Sequence, residues 1–196
     1  MKIIGITGPT GAGKTTALNV LAEFGCCVID CDAVYHALLA TSAALRQDLA
    51  ARFGDVFLPG GGLDRQRLGK LVFQNEAALS DLNAITHRYV NAEVNRRIAQ
   101  AEAEGRPGAA VDAIALLEGE LRDRCDVTVA VIAPVEVRVR RIMAREGISE
   151  EYARARIAAQ KPARFYQDNC GYTLNNDSTP EAFAEQARRL FRQILN

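Results

Sequence analysis

The stretch that decides the fold is Gly8-Pro9-Thr10-Gly11-Ala12-Gly13-Lys14-Thr15, which fits the pattern G-x-x-x-x-G-K-[ST]. The apolar run before it, residues 2–7, predicts a short buried strand. Apolar residues then recur at helical spacing from Thr15 to Phe24, which predicts a helix. A glycine-rich turn between a strand and a helix directs backbone N–H groups and the positive helix end at one anion. The sequence therefore predicts a site for nucleotide phosphates.

The residue types of this phosphate loop each have a chemical use. Lys14 can reach the β- and γ-phosphates of a nucleotide, and the Thr15 hydroxyl can ligate Mg²⁺. A shuffled chain of this composition would contain the pattern only about 0.0015 times, before the strand and the helix around it are required. Nucleotide binding is therefore expected, although the motif does not say where the γ-phosphate goes.

Composition and net charge limit the classes of protein to which this chain can belong. The 196 residues carry 24 Lys plus Arg and 24 Asp plus Glu, so the formal net charge is zero, and 48% of the residues are apolar. These values exclude a mainly disordered chain and argue against a general nucleic-acid or membrane-surface binder. The five cysteines have no zinc or redox spacing, and no apolar run approaches the length of a membrane span. We expect one cytoplasmic domain over residues 1–196.

Predicted strands and helices alternate along the chain. The predicted strands cover residues 2–7, 26–29, 109–117, 127–133 and 172–174. The predicted helices cover residues 15–24, 33–40, 42–53, 76–104, 134–146 and 149–161. Two more helices are predicted to begin after the capping residues Asp64 and Thr179. Strands this apolar are buried on both faces, so the pattern predicts an α/β fold with a parallel sheet covered by helices.

Three carboxylates follow or lie within predicted strands. Asp30 and Asp32 are two residues apart on a segment expected to be extended, so their side chains should point to one side, near the phosphate loop. One of them could accept the proton of an attacking hydroxyl, or both could be solvated strand-end residues. Asp112 lies inside an apolar strand, which favours either a role near Mg²⁺ or a structural acid bonded to backbone.

Residues 138–164 form a basic segment. It contains eight Lys or Arg and three Glu, so it carries +5 in a chain that sums to zero. A helical lid that brings arginines to a transferring phosphoryl group has this composition, and so has a solvated basic face. Arg141 and Arg145 are the strongest candidates because they lie four residues apart on one helix face. The two histidines, His36 and His87, are too few to suggest a metal site.

Taken together, these features resemble the dephospho-CoA kinase family over nearly the whole chain. The matching motifs, in chain order, are Gly11–Thr16, Asp30-Cys31-Asp32, Gly62-Leu63-Asp64-Arg65, Asp112–Glu118, Arg141 with Arg145, Ala153–Gln160 and Asn176. The phosphate loop alone is shared by many families, whereas the ordered combination is specific.

The resemblance implies a fold and a reaction. The fold is a three-layer α/β/α P-loop nucleotide-kinase fold, with a helical acceptor-binding region at about residues 58–105 and an arginine-rich lid at about 138–164. The reaction is the ATP-dependent phosphorylation of the ribose 3′-hydroxyl of dephospho-CoA, which gives CoA and ADP and ends coenzyme A biosynthesis. The implied cofactor is Mg²⁺, and the implied partners are ATP and dephospho-CoA. We expect a monomer or small homo-oligomer, with no nucleic acid or membrane as partner.

The resemblance also implies roles for single residues. Asp32 would be the general base, and Arg141 and Arg145 would reach the developing charge. The ATP-binding residues would be Gly11, Ala12, Gly13, Lys14, Thr15, Thr16 and Asn176, with Thr15 on the metal and Asn176 near the adenine. The acceptor side would be lined or shaped by Asp32, Arg65, His87 and Asp112.

The sequence departs from the family pattern at three places. Arg88 and Ile114 stand where proline is usual, and the loop reads Gly-Pro-Thr-Gly where Gly-Gly-Ile-Gly is more frequent. Two other functions use the same loop. One is a P-loop kinase acting on a nucleoside or small metabolite, and the other is a nucleotide-dependent switch, which would have little use for an arginine-rich lid. Activity on a nucleoside with none on dephospho-CoA would select the first.

Overall fold

Five strands form one parallel sheet: β1 (Lys2–Thr7), β2 (Cys27–Asp30), β3 (Gly108–Asp112), β4 (Val127–Ile132) and β5 (Tyr172–Asn175). Their order across the sheet is β2-β3-β1-β4-β5. The central strand β1 pairs with β3 in the register Ile6↔Asp112 and with β4 in the register Ile6↔Val129. The phosphate loop leaves the carboxyl end of this central strand, where parallel sheets bind their ligands. The predicted parallel α/β architecture is confirmed.

Nine α-helices connect and follow the strands, and the computed structural model describes all 196 residues. They are α1 (Lys14–Glu23), α2 (Cys31–Thr41), α3 (Ala43–Phe53), α4 (Arg65–Val72), α5 (Glu76–Ala103), α6 (Val135–Glu146), α7 (Glu150–Ala158), α8 (Ala163–Asn169) and α9 (Pro180–Leu195). None of them is both long enough and apolar enough to span a membrane.

Alternate residues of β4 show how the sheet is covered on both faces. Val129 and Val131 belong to a core that includes Phe183 and Phe191 of α9, both fully buried. Ala130 and Ile132 point the other way and pack with Tyr166 of α8. The sheet therefore lies between two helical layers, as expected for a strand that is apolar at every position.

The chain divides into two compact units. The first combines Met1–Ile29 with Ile98–Asn196, and the second is Asp30–Arg97. The second unit is helical and has two small apolar cores of its own, one around Leu45 and Leu49 and one around Val56, Leu68, Val72 and Ala78. The predicted acceptor-binding region begins later in the sequence than this unit does. A single domain over residues 1–196 stays a prediction.

Local sequence signals account for where several helices begin and end. The Asp64 carboxylate accepts from the Arg67 N–H at 2.9 Å at the start of α4. The Thr179 hydroxyl accepts from the Ala182 N–H at 3.3 Å at the start of α9. Gly147, at φ 65°, ends α6 in the left-handed conformation that glycine adopts without strain. Each capping side chain stabilises its helix by about 1 kcal/mol.

One predicted strand was wrong in length, and one helix was not predicted. The strand expected over 109–117 ends at Asp112, because its partner β1 ends at Thr7 and the chain then turns into a short 3₁₀ helix at Leu116–Glu118. The apolar run continues past the strand because Leu116 is buried against Gly5, whose missing Cβ would lie 2.6 Å from the Leu116 side chain. Helix α8 was not predicted, because the helical pattern over 149–161 stops just before Pro162, which is the N-cap of α8.

Candidate active site

The phosphate loop forms a turn whose glycines cannot be replaced without strain. Gly8 has φ 142°, and a Cβ there would lie 2.2 Å from the carbonyl oxygen of Val131. Gly13 has φ 102° and is the N-cap of α1, and no side chain bonds to the first N–H groups of that helix. The first turn of α1 also contains no acidic residue. These N–H groups therefore form an anion site at the helix N-terminus.

Two side chains hold the outward carbonyls of the loop. Arg141 Nη1 donates to the carbonyl oxygens of Gly11 and Ala12, each at 3.3 Å. Asn176 Nδ2 donates to the Ala12 carbonyl at 2.8 Å, and Asn176 Oδ1 accepts from Arg141 Nη2 at 3.1 Å. In a trans peptide the C=O and the next N–H point in opposite directions. Because the Ala12 carbonyl is bonded to Arg141 and Asn176, the Gly13 N–H points away from these side chains and stays available to a phosphate.

Asn176 is only 3% exposed, and it lies directly against the loop. A Cβ on Gly13 would be 2.1 Å from Asn176 Nδ2, so the two residues fit only because Gly13 has no side chain. The structure thus places Asn176 with the predicted ATP-binding residues. Its contact with the adenine stays a prediction.

Sequence reasoning missed two more residues on the loop, Arg138 and Gln160. Arg138 is 4% exposed, and its Nε donates to the Thr10 carbonyl at 2.8 Å. Gln160 bonds Thr10 through both ends of its amide. Burial lowers the pKa of the Arg138 guanidinium. Arg138 precedes Arg141 by three residues on α6, and that spacing on one helix face is the signal that could have found it.

The predicted lysine and lid arginines separate into two groups. The Lys14 ammonium donates to the Gly8 carbonyl at 3.2 Å, so it lies over the loop. Arg141 lies on the loop, as described above. Arg145 lies elsewhere: its guanidinium is bonded to Glu146 at 2.6 Å, and 61% of its side chain is exposed. This ion pair, led by the hydrogen bond from Arg145, lowers the pKa of Glu146.

The side chains expected near a bound metal ion can supply only oxygen atoms as ligands. Thr15 and Thr16 lie in the first turn of α1, and Thr15 is exposed. Asp112 ends β3 and is in register with Ile6 on β1, the strand that leads into the loop, so it ends its strand where an interior position was predicted. No cluster of three or more His, Cys, Asp or Glu could hold a metal. This donor set fits Mg²⁺, which keeps waters and substrate oxygens as ligands.

A cavity of about 220 Å³ opens beside the loop within the first unit. Its walls include Gly8, Pro9 and Thr10 of the loop, Ile114 and Glu118 after β3, and Gln160, Lys161 and Phe165 beyond α7. Lys161 forms an ion pair with Glu118 at 3.4 Å and lies 5.3 Å from the centre of the Phe165 ring. The cavity is thus mainly apolar, with one cation and one anion at its wall.

Asp30 and Asp32 differ in what their carboxylates do. They do not share an extended segment, because Asp30 is the N-cap of α2 and Asp32 lies in its first turn. Asp30 Oδ1 accepts from the N–H groups of Asp32 and Ala33 at 2.9 and 3.0 Å. The Asp32 side chain is exposed and takes no part in this cap. Of the pair, Asp32 is therefore the carboxylate available for a substrate.

The other predicted acceptor residues lie on helices of the second unit. Arg65 begins α4, and its Nη2 is 3.2 Å from Nδ1 of His36, a contact that the sequence did not suggest. His87 is exposed on α5. The structure does not join His87 to Arg65 by a direct bond, so their common role stays a prediction.

Arg88 explains one departure from the family pattern. It lies in the interior of the 28-residue helix α5, where a proline would remove a backbone hydrogen bond. Arg88 forms an ion pair with Asp48, whose carboxylate also accepts from the Tyr89 hydroxyl at 2.6 Å. The hydrogen bond to Asp48 raises the pKa of Tyr89. Arg88 and Tyr89 therefore tie α5 to α3 through Asp48.

Comparison with known proteins agrees with this geometry. A family model described as dephospho-CoA kinase matches residues 2–181. A dephospho-CoA kinase of Geobacter sulfurreducens is 33% identical over 192 residues, covering 97% of this chain and 98% of its own. One of Thermobifida fusca is 35% identical over 192 residues, covering 97% of this chain and 95% of its own.

Solved structures give the same picture. A Thermus thermophilus protein superposes with a TM-score of 0.84 at 32% identity, covering 100% of this chain and 98% of its own. A Campylobacter jejuni dephospho-CoA kinase gives 0.72 at 22% identity, covering 99% and 98%, and so supports the fold. The family model covers most of the chain, and relatives more than 30% identical match it over nearly their whole length, so the chain belongs to the dephospho-CoA kinase family.

Proposed function

We propose that this protein transfers the γ-phosphoryl group of ATP to the 3′-hydroxyl of the ribose of dephospho-CoA, giving CoA and ADP. The observation that carries the proposal is the phosphate loop, whose carbonyls are bonded outward by Arg141 and Asn176 in a chain of this family. Phosphoryl transfer needs little covalent chemistry from the protein, so positioning and charge supply most of the catalysis.

Asp32 is proposed as the general base. Its exposed carboxylate is outside the helix cap that occupies Asp30, so it can accept the proton of the attacking hydroxyl. The hydroxyl oxygen then bonds to the γ-phosphorus as the bond from that phosphorus to the leaving ADP oxygen breaks. The proton stays on Asp32 until it passes to solvent.

The ATP phosphates are proposed to bind the N–H groups from Gly11 to Thr16 and the Lys14 ammonium. Lys14 lies over the loop, bonded to the Gly8 carbonyl, and would exchange this bond for a phosphate oxygen. Arg141 and Arg145 are proposed to stabilise the charge that develops on the transferred group. Arg141 already lies on the loop, whereas Arg145 would have to leave Glu146.

Mg²⁺ is proposed as the cofactor, held by the Thr15 hydroxyl together with ATP oxygens. When bound, it would neutralise charge on the β- and γ-phosphates. Arg65, His87 and Asp112 are proposed to line or shape the acceptor side. We expect the protein to act in the cytoplasm as a monomer or small homo-oligomer, with no nucleic acid or membrane as partner. The five free cysteines accord with a reducing compartment.

The decisive experiment measures ADP release from Mg-ATP with dephospho-CoA, and with adenosine and a panel of nucleosides as alternative acceptors. We expect strong release with dephospho-CoA alone and formation of CoA, identified by mass. Release with another acceptor would keep a P-loop kinase and discard this acceptor. No release with any acceptor would overturn the proposed reaction.

A further inference from the structure

All three polar groups of Thr10, in the phosphate loop, are hydrogen-bonded to side chains from a distant part of the sequence. Its N–H donates to Gln160 Oε1 at 3.2 Å, and its hydroxyl accepts from Gln160 Nε2 at 2.7 Å. Its carbonyl accepts from Arg138 Nε at 2.8 Å, and Arg138 Nη2 donates to Gln160 Oε1 at 2.6 Å. We propose that these three side chains form a latch in which Arg138 and Gln160 position the phosphate loop for nucleotide binding.

The four bonds of the Thr10 latch form a closed ring. Gln160 Oε1 accepts two N–H donors, so its amide has only one orientation that satisfies the network. All three polar groups of Thr10 are engaged, so rotation of either peptide plane next to Thr10 breaks at least one bond. Because the Thr10 carbonyl is fixed outward, the Gly11 N–H is turned toward the interior of the loop.

The positive charge of Arg138 in the latch favours the binding of an anion to the loop. Arg138 is 4% exposed, and the two oxygens it bonds belong to a carbonyl and an amide rather than to a carboxylate. A buried cation is costly unless its surroundings compensate it. Nucleotide phosphates on the other side of the loop would supply that compensation, so Arg138 should contribute to nucleotide affinity through its field as well as through its bonds.

The hydroxyl of the latch depends on a departure from the family pattern. Thr10 stands where isoleucine is more frequent in the resemblance described above, and isoleucine has no group that could accept from Gln160 Nε2. Gln160 follows Thr10 by 150 residues and comes just after α7. The latch therefore couples the loop to the end of the predicted lid. This inference rests on the proposed function only in requiring a nucleotide on the loop.

The test is MgADP binding measured by calorimetry without any acceptor, on Thr10→Val, Thr10→Ser, Gln160→Met and the double variant of Thr10→Val with Gln160→Met. Thr10→Val removes the hydroxyl and keeps the shape, so we expect affinity to fall about 3- to 10-fold. Thr10→Ser keeps the hydroxyl and should stay within about 2-fold of wild type. Gln160→Met should cost 10-fold or more, because Arg138 and the Thr10 N–H lose an acceptor.

The double variant separates positioning from general damage. In the Gln160→Met background, Thr10→Val should cost almost nothing, because its partner is already gone. Arg154→Gln is the matched control, since Arg154 is a lid arginine bonded to Glu136 and Glu150, not to the loop. It should bind MgADP like wild type. Thermal midpoints of all variants identify any that fail to fold, and the Thr10→Val and Thr10→Ser pair decides the question even then.

Two results would overturn the latch. One is a Thr10→Val variant that binds MgADP as tightly as wild type. The other is a double variant in which the fold losses of MgADP affinity from the two single substitutions multiply. If wild type binds MgADP and shows the coupling but does not phosphorylate dephospho-CoA, the proposed reaction fails and the latch stands. If wild type binds no MgADP, both proposals are wrong.

Discussion

The phosphate loop and the acceptor candidates of Asp30–Arg97 are held in different ways. The loop carbonyls from Thr10 to Ala12 are bonded by Arg138, Arg141 and Asn176, and two of these side chains are nearly fully buried. Asp32 and His87 are exposed, and their side chains extend from helix surfaces. A backbone anion site must be rigid before its ligand arrives, since each N–H has a fixed direction. Side chains that recognise an acceptor can be ordered by the acceptor itself.

Asp32→Asn is the variant that should separate the role of the acceptor candidates from that of the phosphate loop by the largest effect. It should lower kcat by about 10²- to 10⁴-fold, because the base for the acceptor hydroxyl is lost. MgADP affinity should stay within about 2-fold of wild type, because the loop is untouched. Steady-state kinetics and calorimetry measure the two quantities.

Asp30→Asn is the matched control for that variant. Asparagine also caps helices well, so the Asp30 cap should survive and turnover should remain near wild type. Wild-type turnover in Asp32→Asn would contradict the assignment, and a loss confined to Asp30→Asn would move the base to Asp30.

Substitutions of the two lid arginines, Arg141 and Arg145, should have smaller effects that differ between the two residues. Arg141→Met removes the bonds to Gly11, Ala12 and Asn176, so MgADP affinity should fall about 10- to 100-fold. Arg145→Met should leave MgADP affinity unchanged and lower kcat by about 10-fold, if Arg145 acts only on the transferring group. Equal loss of MgADP affinity in both variants would show that the loop contacts of Arg141 have no special weight.

Arg65→Met should act on the acceptor alone. We expect KM for dephospho-CoA to rise by about 10-fold with MgADP affinity unchanged, because one charged hydrogen bond to the acceptor is lost. The matched control is Arg67→Met on the same helix, since Arg67 pairs with Asp55 at 3.6 Å on an exposed surface. A rise in KM of the same size in the control would point to a general effect of charge.

The smallest effect concerns Glu93 on α5. Hydrogen bonds from Arg96 and Arg97 lower its pKa to about 2. A lowered carboxylate pKa stabilises the fold above the unfolded value of about 4.3, and this contribution is lost as pH falls through 2. Glu93→Gln should therefore cost at most about 1 kcal/mol of unfolding free energy at pH 7, because both arginines are partly exposed.

Urea denaturation at pH 7, 4 and 3 measures this difference. The gap between wild type and Glu93→Gln should be full at pH 7, smaller at pH 4 and smaller again at pH 3, and high salt should reduce it at pH 7. A gap that is constant with pH would mean that packing of the side chain, and not its charge, accounts for the loss.

Sequence patterns predicted those parts of the site that are contiguous in the chain. The loop, its strand and its helix lie within about twenty residues, and the caps at Asp64 and Thr179 are local signals. Contacts between distant segments were not readable. Four-residue spacing favours Arg141 and Arg145, yet the pair that reaches the loop is Arg138 and Arg141, because the loop approaches α6 from a direction that periodicity does not encode.

The end of β3 shows the same limit. An apolar run continues past Asp112 because Leu116 is buried, but a strand needs a neighbouring strand to bond, and β1 stops at Thr7. The spacing of Asp30 and Asp32 likewise predicts a shared extended segment, whereas the capping preference of aspartate starts a helix there.

The order of strands in the sheet has a consequence for biosynthesis. The phosphate loop leaves the ribosome before the segments that hold it, since Ala12 is bonded to Asn176, 164 residues later. β1 likewise pairs with β3 and β4, which begin at Gly108 and Val127. At translation rates of about 5–20 residues per second, the loop waits roughly 10 to 30 s for its last partner. Until β3 and β4 have been made, the apolar strand β1 has no neighbouring strand, so this chain should depend on chaperones most strongly in that earlier part of the wait.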